Sequence, residues 1–255
     1  MLSKIKMYIH SDDFEITRHI TSILHGVLMD IVSVEYADFL HSGGLNPYSM
    51  YLSKENNEWC WTVCTVGKTS HNEIIQKLAD SNFTKFTVKH KDNAVIYINK
   101  KEVATQSAES VVLKPFNNDI SKVFKIHFIT PTAFKSGGRY VNYPDLFLIF
   151  QSLMKKSQLV SDEISFSDVD VLNALAENSH IVSYNLKTSR FYLEGQKITG
   201  FTGYIAIYSN GASAMRNLIE LLLTIGGYLG VGIKASLGMG AMELMSDNGG
   251  GTNER

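Results

Sequence analysis

Residues 4–11, KIKMYIHS, alternate apolar and polar side chains, the period-two signature of a strand with one dry face and one wet face. The period then lengthens. Ile20, Ile23, Leu24, Val27, Leu28 and Ile31 recur at helical spacing and predict a helix reaching from Thr17 to Ile31. VSVEYADFLH is a second helical piece, stopped by Gly43-Gly44. Strand-like runs follow at SMYL (49–52), EWCWTVCTV (58–66), FTKFTVKH (83–90) and AVIYINKKEVAT (94–105), with a short helix, NEIIQKLAD, between the second and third.

The second half repeats this order. KVFKIHFIT (122–130) predicts a strand, and PDLFLIFQSLMKK (144–156) a helix with Pro144 near its first turn. VDVLNALAEN is another helix. SYNLKTSRFYLEG and KITGFTGYIAIYS form a strand pair bent at a glycine, ASAMRNLIELLLTIGGYLG (212–230) is a long apolar-faced helix, and MGAMELM (239–245) is a closing strand. The chain has no sequence repeat, yet each half runs strand–helix–strands–helix–strand. That pattern predicts an α+β protein with antiparallel sheets, built as two tandem ferredoxin-like units. The expected division is 1–121 and 122–246, followed by a polar, Gly-rich tail, 247–255, expected to be disordered.

The length, 255 residues, suits two such units. Lys and Arg number 24 against 25 Asp and Glu, which excludes a disordered polyelectrolyte and an overwhelmingly basic nucleic-acid binder but leaves room for a local basic patch. The two cysteines exclude a disulfide scaffold; Cys60 and Cys64 have no nearby histidine pair to complete a zinc site and read as small buried residues on a strand. No leader of secretory type and no uninterrupted apolar run of about 18 residues is present, so the expected compartment is the cytoplasm, without a membrane partner.

Six glycines fall in the fifteen residues from Gly226 to Gly240. GVGIKA (230–235) fits a dinucleotide fingerprint in letters only, because a helix precedes it and a strand follows. A phosphate-binding Walker loop fails as well, since Ala235 follows Lys234. Two readings stay open: a tight turn that needs glycine, or a loop whose backbone amides and Lys234 face a phosphodiester chain.

The segment GYIAIYSNGASAMRNLIELLLTIGGYLGVGIKASLGMGAMEL resembles the C-terminus of the CRISPR repeat-RNA endoribonucleases, the sixth Cas family of the RAMP superfamily. Its signature, G-x-G-x-K-x-x-x-G-x-G after an aromatic-rich strand and a helix, stands at Gly230, Gly232, Lys234, Gly238 and Gly240. TPTAFKSGGRYVNYPDLFLIFQSLMKK (130–156) is similar to a second family block and YADFLHSGG (36–44) to a third, which carries the family's histidine. The resemblance implies two ferredoxin-like (RAMP/RRM-like) domains. It further implies metal-independent cleavage of repeat RNA by attack of a 2′-hydroxyl on the neighbouring phosphate, leaving a 2′,3′-cyclic phosphate and a 5′-hydroxyl. A non-catalytic RNA-binding subunit of an effector complex is the rival implication.

Such chemistry needs a base for the 2′-hydroxyl, an acid for the leaving oxygen and positive charge at the phosphorane. Of eight histidines, His41 ends a helix beside a loop of small residues, where a helix C-terminus favours the imidazolium, and it matches the family's catalytic histidine. Relatives pair it with a tyrosine on the first helix and a lysine downstream. Here Met29 takes the first position and the second falls near Asn46, so Tyr48, Ser49 or Lys54 is expected to orient the phosphate and His25 to act as second acid or base. No metal-ligand motif stands in the chain and no cofactor is expected; DEISFSDVD (162–170) reads as capping and solvated residues. From Lys122 to Arg139 there are four basic residues and no acid. The expected RNA contacts are Lys135, Gly137, Gly138, Arg139, Lys187, Arg190, Gly232, Lys234 and Ser236, on one basic face, with Phe134, Tyr140 and Phe191 as candidate stacking aromatics. The implied partner is CRISPR repeat RNA, with effector-complex proteins met transiently and a homodimer allowed.

Overall fold

The computed structural model describes residues 1–88, 93–117, 121–160, 168–193 and 195–245. His90, most of the acidic stretch at 162–167 and the tail 247–255 lie outside these residues.

β1 (Leu2–His10) sends Ile5, Met7 and Ile9 into the N-terminal core, as its alternation predicts. A 3₁₀ turn (Arg18–Ile20) leads into α1 (Thr21–Ile31), which buries Leu24 and Leu28. α2 (Val34–His41) starts at Ser33, whose hydroxyl accepts the Tyr36 amide. β2 (Tyr48–Glu55) and β3 (Glu58–Val66) form a hairpin. One helical run then changes type, from α3 (Lys68–Ser70) through a π turn (His71–Gln76) to α4 (Lys77–Ala79). β4 (Lys85–Val88) and β5 (Ala94–Gln106) complete an antiparallel sheet of order β2-β3-β1-β5-β4. With β4 set aside as an added edge, this is the ferredoxin-like order.

α5 (Ala108–Leu113) and a 3₁₀ turn (Lys114–Asn117) join the halves. β6 (Val123–Thr132) is followed by a small hairpin, β7 (Phe134–Ser136) and β8 (Arg139–Val141). α6 (Leu146–Ser157) is capped by Asp145, so Pro144 stands before the cap rather than inside the first turn. α7 (Val169–Glu177), β9 (Ser179–Leu193), β10 (Gln196–Ser209), α8 (Ser213–Leu229) and β11 (Met242–Met245) finish the chain. The second sheet runs β11-β6-β10-β9, the same ferredoxin-like order.

The amphipathic faces explain how the halves meet. α8 gives Ile219, Leu222 and Leu223 to the C-terminal core. Its other side gives Leu221, Ile225, Tyr228 and Leu229 to a separate cluster with Leu2, Cys64 and Val66 of the first sheet. One helix is thus buried on both sides, and the glycine-rich segment that leaves its C-terminus is positioned by both halves at once. Cys60 and Cys64 are buried free thiols on β3, and burial pushes both up to about 11.

Candidate active site

Three side chains from the N-terminal half converge beside the glycine-rich loop. α1 turns Leu24 and Leu28 inward and leaves His25 half-buried at the edge. α2 ends with His41, exposed in its last turn, where the helix dipole favours a cation. Gly43 and Gly44 have φ of 93° and 111°, the left-handed region that lets the chain reverse and enter β2 at Tyr48 within a few residues. The His25 and His41 ring centroids lie 6.5 Å apart with the planes nearly perpendicular, at 87°. Tyr48 is fully buried, and its hydroxyl stands 3.0 Å from His25 Nδ1. Burial pushes the Tyr48 phenol well above its ordinary value, so it stays protonated and can donate to Nδ1.

The second half adds Ser236. Its hydroxyl accepts the Asn46 side-chain amide at 3.1 Å and also hydrogen-bonds the Tyr48 hydroxyl. A chain of polar groups therefore runs from Asn46 through Ser236 and Tyr48 to His25, crossing between the halves. Sequence reasoning placed Ser236 among the RNA contacts and gave Asn46 no role. The two positions are 190 residues apart, and only the position of Asn46 downstream of the histidine hinted at the site.

Four expectations change on this geometry. Lys54 occupies the far end of β2, roughly 20 Å along an extended chain from Tyr48, and its ammonium lies over the Trp59 ring at 5.0 Å. Ser49 points to the opposite face of β2 and donates to the Tyr228 carbonyl at 2.6 Å. The loop amides of Val231, Gly232, Ile233, Leu237, Met239 and Gly240 all donate to protein acceptors, so they are not presented to a phosphate. Gly232 in particular donates to Ser152 Oγ at 2.8 Å, and a Cβ there would collide with the Ala133 carbonyl. The loop is a packed turn that needs glycine, with Lys234 at φ 56° as its left-handed, half-buried non-glycine member.

The fourth change concerns the basic face. Lys135, Arg139, Lys187 and Arg190 are exposed. Register pairs Lys135 with Tyr140 and Ser136 with Arg139, so the two cations leave the small hairpin on opposite sides. Lys187 and Arg190 are an odd number of residues apart on β9 and also diverge. Gly137 and Gly138, at φ 54° and 78°, make the tight turn of that hairpin and a Cβ on either would meet nothing. Phe134 and Phe191 are core; of the three candidate stacking aromatics, Tyr140 alone is exposed, at 52%. Among the described residues no three His, Cys, Asp or Glu side chains gather as a metal site.

The family model described as CRISPR-associated endoribonuclease Cas6 matches residues 126–242. A Cas6 endoribonuclease of Streptococcus thermophilus is 35% identical over 86% of this chain and 89% of its own length. The chain belongs to the Cas6 family. A Mycobacterium tuberculosis Cas6 endoribonuclease is 30% identical over 87% of this chain and 70% of its own length. Among solved structures, a Cas6 product complex superposes with a TM-score of 0.80 at 18% identity, covering 96% of this chain and all of the other; a Thermus thermophilus Cas6 gives 0.71. These likenesses confirm the fold of two ferredoxin-like units. The stretch matched by the Cas6 model holds the hairpin, α6 and the glycine-rich loop, and it contains neither His25 nor His41. No helix among the described residues is long and apolar enough to cross a membrane.

Proposed function

We propose that this Cas6 protein cuts CRISPR repeat transcripts at the His25–His41 site without a metal ion. The observation that carries the reading is the pair of imidazoles, with ring centroids 6.5 Å apart, beside the buried Tyr48 hydroxyl that meets one of them. One imidazole takes the proton of the 2′-hydroxyl as its oxygen bonds to phosphorus. The other, as imidazolium, gives a proton to the 5′-oxygen as the P–O5′ bond breaks. No water is consumed, so the products are a 2′,3′-cyclic phosphate and a 5′-hydroxyl. Tyr48 is a positioning residue: it holds His25 by Nδ1 and is itself held by Ser236. Lys234, two residues from Ser236, supplies positive charge for the crowded phosphorane. Lys135, Arg139, Lys187 and Arg190 hold the backbone of the same RNA from several directions, and effector-complex proteins meet the product afterwards.

The test is incubation with the host's own repeat RNA in excess EDTA. Cutting at one site with a cyclic phosphate at the new 3′ end is the expected result. Cutting that chelation abolishes and magnesium restores would overturn the mechanism. Tight binding without any cutting would favour the scaffold reading.

A further inference from the structure

A cleft of about 210 Å³ opens between α6, the β7–β8 hairpin and the first residues of the glycine-rich loop. Leu45 lines it too, next in the chain to Asn46, whose side-chain amide reaches Ser236. Phe134, Leu148 and Ile233 supply the rest of its apolar wall. Its polar side chains are Lys135, Gln151, Ser152, Lys155 and Lys156. Lys156 lies on the buried stripe of α6 that also carries Ile149 and Leu153, and among the described residues no carboxylate pairs with its ammonium. Two of its three N–H groups are used, donating to the carbonyls of Leu229 and Gly230 at 2.9 and 3.0 Å. Ser152 Oγ accepts from the Gly232 amide and keeps its own hydrogen to give. Among the described residues no acid lines the cleft, and Lys135 and Lys155 line it as well.

A small, mostly apolar cavity with Lys156 and Ser152 as donors suits a ring with adjacent acceptors on one edge. Among the nucleobases guanine presents that edge, through O6 and N7. We propose that this cleft takes one unpaired guanine of the bound RNA, with its O6–N7 edge on Lys156 and Ser152. The base is gripped between Leu45 and Ile233, and Lys135 and Lys155 hold the flanking phosphates. The inference rests on the RNA-cutting reading above and adds a specificity site to it: one extruded base beside the scissile phosphate would fix the register of cutting. Burial holds the Lys156 ammonium down to about 7.

The experiment uses the full chain and the host repeat RNA made uncleavable by a 2′-deoxy sugar at the cut site. Each unpaired guanosine is replaced in turn by inosine, 7-deazaguanosine or an abasic nucleotide, and equilibrium affinity is measured. At one position the abasic and 7-deaza forms should bind about tenfold more weakly, the ordinary cost of losing one bidentate base contact, while inosine, which keeps O6 and N7, binds as guanosine does. Gln151→Trp fills the mouth of the cleft without touching the Lys156 bonds that anchor the end of α8. This variant should lose the same tenfold and no longer respond to the replacements. If wild-type protein binds and cuts the repeat but no position behaves this way, or if the variant and the base replacements weaken binding additively, the guanine site is wrong. If wild-type protein neither binds nor cuts the repeat, the RNA-cutting reading itself has failed.

Discussion

Among the described residues five histidines lie against a tyrosine ring, and two of these pairs differ in what else is there. On the face of the second sheet, His127 stacks on Tyr204 with ring centroids 4.2 Å apart and donates from Nδ1 to Glu243 at 2.9 Å. That bond holds the Glu243 carboxyl below its ordinary value. A carboxylate facing outward there repels a phosphate, and the imidazole beside it is already committed. Beside the glycine-rich loop, His25 is held by a buried, neutral phenol and lies across from an exposed His41 at a helix C-terminus. The orienting group at His25 is a phenol, whereas the one at His127 is a carboxylate. A histidine next to an aromatic ring is therefore no mark of chemistry; the charge of the group that orients it decides.

The comparison breaks most easily at the histidines themselves. His41→Ala should slow single-turnover cleavage by about 10²-fold or more, the range expected for a general acid or base, with RNA affinity nearly unchanged. His127→Ala should leave the rate within about twofold, as surface substitutions away from a site do. Comparable losses from both would dissolve the distinction. Tyr48→Phe removes the hydrogen bond to His25 while preserving the packed ring; a drop of about tenfold in rate at constant affinity follows from the net worth of one such bond. An equal loss of affinity would make Tyr48 an RNA contact instead.

Gly238→Ala tests whether the loop must sit against α1. Its φ is 112°, and a Cβ would strike the Thr21 side chain, so a loss of about 2–3 kcal/mol in unfolding free energy is expected. The same variant should slow cleavage by moving Ser236 away from Tyr48. Gly138→Ala, left-handed but with open space around it, should cost about 1 kcal/mol and leave the chemical step alone. A pH-dependent effect concerns Lys156, held down to about 7 from 10.5 by burial. Between those values the unfolded chain binds the extra proton and the folded one does not, so this group makes stability rise with pH. From pH 7 to 9 the wild-type protein should gain melting temperature relative to Lys156→Met. The thiols, raised to about 11 from 9.0, act in the opposite sense only above that window.

Much of the fold was legible because its periods were long. The alternation of β1 and the stripe of α8 each run far enough to declare themselves, and both ferredoxin-like units follow from their order. The hairpin β7–β8 and α5 escaped, since strands of three residues and a helix of six carry no measurable period. The structure brings His41, His25 and Tyr48 together; the sequence offered His41 at a helix end before Gly43-Gly44 and through the family resemblance, and His25 and Tyr48 as alternatives for its partner. Lys54 was not excluded by the sequence, because closeness along a strand says nothing about distance from the site. Lys156 also passed unnoticed, although its place on the stripe of Ile149 and Leu153 was the available signal. The glycines were the subtlest case: they declare positive φ, but only the packing tells that Gly232 and Gly240 are pressed against carbonyls while Gly137 and Gly138 stand in the open.

The most direct measurement is the pH–rate profile of single-turnover cleavage in EDTA, with chemistry confirmed as the slow step. Two imidazoles exchanging protons with the substrate predict a bell, with inflections within about two units of the free histidine value of ~6.5. His25→Ala should remove one limb and leave the fold intact. A rate that stays flat between about pH 5 and 9, or a bell that His25→Ala leaves untouched, would contradict the paired-histidine site.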